Sequence, residues 1–415
     1  MTRNRDDVKA LDASDPLASV RDRFAMPSGV LYLDGNSLGP LSVKARDGLD
    51  RAINDEWGTG LIRSWNDAGW FEMPLKLGDR IGALVGAAPG QVVCCDSTSI
   101  NIFKTLHAAL GLRPERRVIL SEADSFPTDL YMTEGVMAGG GSLERRLVGQ
   151  DGARFEDLID EDVAVVLLSH VNYRTGEILD MKGITEKAQA AGALVIWDLC
   201  HSAGVLAVDL DGSNADFAVG CTYKYLNGGP GSPAFLYVAE RHQDAARQPL
   251  TGWWGHAAPF AFERDYRPSG GIRKFLCGTQ PILSMRGVQY ALDTQGDLAI
   301  EAIRAKSLSL TRLFIELTDP IRDRHGIELM TPRDDAIRGS QVALGFEHGF
   351  AVVKAMIGRS VIGDFRAPDI MRFGFSPLYL SHADVWEAAE VLAECLDARV
   401  WEDPQYAKPE AETVT

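Results

Sequence analysis

Cysteine is scarce in this chain, with six in 415 residues, and those six sit mostly inside apolar segments. So few cannot form the framework of a disulfide-dense secreted scaffold, and the thiols are expected to be reduced. No apolar run approaches the ~20 residues of a membrane-spanning helix. The opening residues "MTRNRDDVKALDASD" lack the apolar core of a signal peptide. Basic blocks are missing as well: 58 acidic against 42 basic residues give a formal net charge of -16. Nucleic acid and anionic membranes are therefore not expected partners. Cys94 with Cys95, Cys200 with His201, and His170 lack zinc-ligand spacing, so no metal site is expected. Internal repeats and low-complexity segments are absent. These absences together predict a soluble cytoplasmic protein.

What is present is enough apolar material, 46% of the residues, for a substantial core, over a length that suggests two domains. From about Cys94 to Val238, apolar runs alternate with amphipathic stretches. "VVCCD", "RVILSE", "VAVVLLSH", "ALVIWD", "ADFAVGC" and "AFLYV" read as buried strands, while "SINIFKTLHAALG" and "MKGITEKAQAAG" have helical spacing and glycine stops. This pattern predicts an α/β domain with a mostly parallel sheet, which binds ligands where its strands end. A helical stretch from about Ile282 to Leu317 leads to a smaller α+β domain. Its strands are "GIELMT", "SQVALGFE" and "DIMRFGFS", and its helices "HGFAVVKAMIGR" and "SHADVWEAAEVLAECLDA", the second opened by a Ser381–Asp384 capping pair. The tail "DPQYAKPEAETVT" is expected to fray.

Chemistry concentrates at the strand ends. Lys224, in "CTYKYLNGGPGSPAFLYV", lies on a connection between two apolar strands, where an ammonium needs a carboxylate or a covalent partner. "ALVIWDLCHSAG" ends a strand with Asp198 and places His201 three residues on. Ser97, Thr98 and Ser99 stand where a helix begins, and free backbone N–H groups there favour an anion. Phe126 in "SEADSFPTDLY" is an aromatic that can cover a ring, with Asp129 close behind. An amine, an acid, a phosphate anchor and a stacking ring are the requirements of pyridoxal phosphate. The glycines of "NGGPGSP" are interrupted by proline and followed by no helix, which argues against a nucleotide phosphate loop.

With "LYLDGNSLG", "FPTD", "HVNYRTG", "GWWGH" and "MRFGFSPLY" added, the chain resembles kynureninase, a family of fold-type-I pyridoxal-phosphate enzymes, from about Leu31 to the final helix. The resemblance implies an N-terminal segment (1–60) serving the small domain and a dimer, a large cofactor-binding α/β domain (61–290), and a linking helix with a small α+β domain (291–415). It implies a homodimer with shared active sites that hydrolyses L-kynurenine to anthranilate and L-alanine in tryptophan degradation. Lys224 becomes the lysine that carries the cofactor and moves the α-proton, Asp198 the partner of the pyridine nitrogen, and Phe126 the stacking ring, followed by Pro127, Thr128 and Asp129. Thr98, Ser99, Tyr223 and, from the second subunit, Trp253 and Thr279 become phosphate-side contacts. Ser169 and His201 complete the cofactor pocket, and Tyr223 is also a candidate acid or base. Arg372 takes the substrate carboxylate, with Asn36 and Gly278 on the substrate side. Alternatives are 3-hydroxykynurenine hydrolysis, a cysteine desulfurase, an aminotransferase, or a non-catalytic protein of the same fold. A desulfurase needs an exposed nucleophilic cysteine, which the apolar settings of these cysteines do not offer.

Overall fold

Runs of β-branched and other apolar residues become strands here because helices cover the sheet they form. A computed structural model of the chain describes residues 4–407. It divides into two units, a larger one of Ala45–Tyr173 with Leu179–Asp293, and a smaller one of the described residues in Met1–Lys44, Arg174–Ile178 and Thr294–Thr415. The 60/61 boundary read from the sequence falls between two consecutive helical turns of the larger unit, and 290/291 falls inside the helix Ile282–Gln295.

The larger unit carries seven strands: β1 Val92–Cys94, β2 Val118–Glu122, β3 Glu144–Val148, β4 Val163–Ser169, β5 Leu194–Asp198, β6 Phe217–Gly220 and β7 Phe235–Val238. Their order across the sheet is β1-β7-β6-β5-β4-β2-β3. Only β7 runs against the rest, antiparallel to β1 and to β6. Side chains alternate across such a sheet. Leu194 and Ile196 of β5 thus join the core that Ile102 and Leu106 of the helix Thr98–Gly111 also enter. Trp197 belongs to the opposite phase, and its Nε1 donates to Thr185 Oγ1 of the helix Met181–Ala190 at 3.0 Å. With one strand direction shared, the carboxyl ends of β1, β2, β4, β5 and β6 meet at one edge, and the loops that follow them share it.

The smaller unit has a four-stranded antiparallel sheet of β8 Glu328–Leu329, β9 Gln341–Gly345, β10 Asp364–Arg366 and β11 Ile370–Gly374, in the order β10-β11-β9-β8. Helices Ile300–His325, Gly349–Ile357 and His382–Asp397 belong to it, the last with the reciprocal Ser381–Asp384 capping box. The helical stretch expected over Ile282–Leu317 is two helices, Ile282–Gln295 and Ile300–His325. Gly296 separates them with φ +59°, a conformation that ends a helix and suits glycine. Of the tail expected to fray, the residues from Lys408 onward lie outside the described part.

Candidate active site

The glycine-rich stretch after Lys224 folds back on itself to hold the lysine. Asn227 N–H donates to the Lys224 carbonyl at 2.9 Å, and Gly228 N–H to Thr222 O at 2.8 Å. A Cβ on Gly228 would lie 2.9 Å from Thr222 O, too close for any side chain to fit without displacement. Thr222 Oγ1 meets Pro233 O and Ser232 Oγ, each at 2.6 Å, and closes the loop from the other side. The connection between β6 and β7 is thereby a braced turn that presents one ammonium.

Lys224 Nζ lies 2.9 Å from His201 Nε2. An ammonium has only protons to give, so Nε2 is the acceptor and His201 carries its proton on Nδ1. Nζ also stands 5.8 Å from the Phe126 ring centre and 5.9 Å from that of Tyr223. Asp198, buried at the end of β5, accepts the Cys200 N–H on Oδ1 at 2.7 Å. Burial pushes its carboxyl above the ordinary range, opposed by the Cys200 hydrogen bonds and by the charge of Lys224. Asp129 is pushed up further, by burial first and the Asp198 charge second. Its Oδ2 is 3.4 Å from Ser169 Oγ, while its buried Oδ1 has no hydrogen-bond partner among the described residues. The Tyr223 hydroxyl is likewise held protonated well above its usual range, chiefly by burial.

Thr98 and Ser99 form the first turn of a 14-residue helix whose N-cap, Ser97, accepts the Ile100 N–H. First-turn N–H groups have no intrahelical carbonyl to bind and carry the positive end of the helix dipole. The turn before them is fixed from beneath: fully buried Lys104 donates to Asp96 Oδ2 at 2.5 Å and to Phe275 O at 2.6 Å. Gln280 Oε1 accepts the Asp96 N–H at 3.2 Å and links this turn to the Gly278–Thr279 segment. Pro127 starts the helix Pro127–Ala138, where its missing N–H costs nothing.

Thr98, Ser99, Phe126, Thr128, Asp129, Ser169, Asp198, His201, Tyr223 and Lys224 all line one open concavity of about 520 Å³. Val171, Tyr173 and Cys200 line it too, residues the sequence reading did not assign to the cofactor pocket. Tyr173 sets its edge against the Phe126 ring at 5.2 Å and 86°, so Phe126 is braced while 41% exposed. Gly278 and Thr279 line an adjoining concavity of about 890 Å³ that shares Thr98, Ser99 and Tyr223. Trp253 lies elsewhere, in a surface hollow with His256 and Phe262, its ring stacked on Trp254 at 5.4 Å. The residues present fit pyridoxal phosphate: a lysine and an acid converge on an open concavity, an unsatisfied buried acceptor lines it, and a helix start with hydroxyl side chains borders it.

In the smaller unit, Arg372 is buried in β11 and bound side-on by Asp364, Nε to Oδ1 at 2.8 Å and Nη2 to Oδ2 at 2.5 Å, with Ser37 Oγ 2.9 Å from Nη2. Burial works against ionised Asp364, yet Arg372 and Arg366 hold its carboxyl below the ordinary range. Asn36, fully buried, donates to Gln341 Oε1 at 3.3 Å. A Cβ at Gly374 would come within 1.9 Å of Asn36 Oδ1, so glycine at 374 makes room for that amide.

Residues 303–392 match the sequence pattern of the kynureninase C-terminal domain. The chain is 51% identical over 416 residues to a kynureninase of Burkholderia pseudomallei, covering 99% of this chain and all of that one. It is 50% identical to a kynureninase of Pseudomonas fluorescens over 97% of this chain and 98% of the relative. Among solved structures, a cysteine desulfurase of Thermococcus onnurineus superposes with a TM-score of 0.76 at 18% identity, over 92% of this chain and 98% of that one. The lyase C-DES, solved with glycine covalently linked to its pyridoxal phosphate, gives 0.75 at 15% identity, over 90% and 99% of the two chains. The structural likenesses establish the fold of the pyridoxal-phosphate enzymes, and the near-complete sequence matches show that the chain belongs to the kynureninase family.

Proposed function

We propose that the chain uses pyridoxal phosphate to add water across the β,γ carbon–carbon bond of L-kynurenine, releasing anthranilate and L-alanine, as a step of tryptophan breakdown. The observation that carries this reading is the identity of 50–51% with kynureninases over essentially the whole length. The likeness to cysteine desulfurases, at 18% identity, bears on the fold alone. Bound in the concavity, the cofactor supplies an electron sink for the charge left when the α C–H bond breaks.

The chain's own residues do the rest. Lys224 would carry the cofactor and, once free as an amine, take the α-proton; His201 Nε2, 2.9 Å from its Nζ, accepts a hydrogen bond from it and holds it in place. With the cofactor bound, Asp198 would keep its pyridine nitrogen protonated, Phe126 would cover its ring, and Thr98 and Ser99 would hold its phosphate at the helix start. Ser169, Thr128 and Asp129 close the pocket wall, with Pro127 setting the direction of the helix behind them. Tyr223, protonated throughout the neutral range, is suited to donate a proton rather than accept one. Arg372 takes the substrate carboxylate, with Asn36 beside it, and Gly278 leaves space for the aromatic ring.

We place the protein in the cytoplasm as a homodimer. Support for the dimer is an exposed aromatic group on the larger unit, Trp253, Phe260 and Phe262, with the first two rings 6.1 Å apart. In the dimer Trp253 and Thr279 reach the phosphate side of the partner's site. No helix among the described residues is long and apolar enough to cross a membrane. The test is direct: the purified protein with pyridoxal phosphate is offered L-kynurenine and 3-hydroxykynurenine, and release of anthranilate from the first and of 3-hydroxyanthranilate from the second is followed. Faster turnover of the unsubstituted ring is expected, and no cleavage of either substrate defeats the reading.

A further inference from the structure

Two carboxyl groups, not one, stand at the Arg372 guanidinium, and their surroundings differ sharply. Asp364 is fully buried and collects donors: Arg372 through Nε and Nη2, Arg366 Nη2 at 2.7 Å, and Ser37 Oγ at 2.7 Å. Asp34 faces the same group with its buried Oδ1 unmatched by any donor among the described residues. Its position is fixed by the backbone, since Asp34 bridges Gly374, two residues beyond Arg372, and Gly374 N–H donates to Leu33 O at 2.6 Å. Two like charges this close and this dry do not both persist; the group with more donors keeps the charge and the other, which has Ser37 alone beside it, keeps a proton.

We propose that Asp34 and Asp364 share a single negative charge, resident on Asp364, and that the proton retained by Asp34 leaves the Arg372 cluster net positive for an incoming carboxylate. The inference rests on the reading of Arg372 as the substrate-carboxylate anchor and adds to it the residue that sets the anchor's charge. The charged and titratable groups facing Asp34 are Asp364, Arg372 and the Tyr32 hydroxyl, with Arg366 across Asp364. Tyr32 stays neutral, because burial and the two acids push its hydroxyl up. With Asp34 protonated, two guanidinium groups face one carboxylate and one positive charge remains. With Asp34 ionised, that charge is cancelled. Burial and the Asp364 charge, against the Ser37 hydrogen bond and the Arg372 charge, push Asp34 up to about 7.

The experiment is the pH profile of KM for L-kynurenine between pH 6 and 8.5, using the cofactor-loaded wild type, Asp34→Asn and Arg372→Ala. The wild-type KM is expected to rise roughly five-fold or more as the pH passes 7, the direction in which Asp34 gains its charge. In Asp34→Asn, neutral at every pH, that rise is expected to flatten; titration of the substrate itself is common to both proteins and cancels in the comparison. A flat wild-type KM overturns the inference even if the variant does not fold. Equal slopes in wild type and Asp34→Asn, together with a raised KM in Arg372→Ala, overturn it while leaving Arg372 as the anchor. An unchanged KM in Arg372→Ala removes the anchor reading, and the inference falls with it.

Discussion

At the scale of single residues, an amine and an acid are held by different means. Lys224 is set by a braced turn and by His201 at 2.9 Å, Asp198 by the end of a buried strand and one backbone N–H. Asp198→Asn keeps the size of the side chain but cannot hold a pyridine nitrogen protonated. It is expected to retain bound cofactor, visible in the absorbance spectrum, and to lose most turnover. Unchanged turnover in that variant would reduce Asp198 to a structural strand-end acid. For Arg372, replacement by lysine exchanges a planar fork for a point charge. Arg372→Lys is expected to weaken kynurenine binding and lower kcat/KM about ten-fold or more, the loss of one charge-assisted bond of about 1.5–3 kcal/mol, with the cofactor spectrum nearly intact. Steady-state kinetics beside that spectrum check it. Lys224 and Asp198 stood out in the sequence because each interrupts or ends an apolar run, whereas Arg372 was singled out only by the family resemblance. Asp364, the acid that holds Arg372, was not. Eight residues separate the two in sequence, and only the β10–β11 pairing sets them opposite each other. Cys200, Val171 and Tyr173 are of residue types that usually mean packing, and their place in the site follows from the fold alone.

At the scale of elements, burial on both faces is what made the large sheet readable. The seven residues of β4, "VAVVLLS", are all buried, so the strand declares itself as a continuous apolar run. β3, "ERRLV", lies at the edge of the sheet with no buried residue, and its charges hide it from any search for apolar runs. Helix ends were readable where a side chain does the capping. Ser381 accepts the Asp384 N–H at 3.1 Å, and Asp384 Oδ2 accepts the Ser381 N–H at 2.8 Å. Ser381→Ala is expected to cost about 1 kcal/mol of stability. Urea unfolding should show a lower midpoint with an unchanged slope. A midpoint equal to that of the wild type would mean the box adds nothing to the helix His382–Asp397.

At the scale of the whole molecule, the relatives at 50–51% identity carry the activity and the solved structures at 15–18% carry the fold. Phe260 is 66% exposed and touches the Trp253 ring system, so a charge placed there should spare the fold of one subunit and disrupt an apolar contact between two. Phe260→Glu is expected to sediment as a species of half the wild-type mass and to turn over kynurenine more slowly. A wild-type mass in that variant would move the interface elsewhere.

The claim on which everything else depends is that Lys224 carries the cofactor. Reduction of the pyridoxal-phosphate-loaded protein with borohydride fixes the cofactor to whichever lysine holds it, and digestion followed by peptide mapping identifies that lysine. The reduced cofactor is expected on the peptide containing Lys224 and on no other, with covalent labelling and anthranilate release both lost in Lys224→Ala. Label on a different lysine, or kynurenine turnover surviving in Lys224→Ala, would contradict the account.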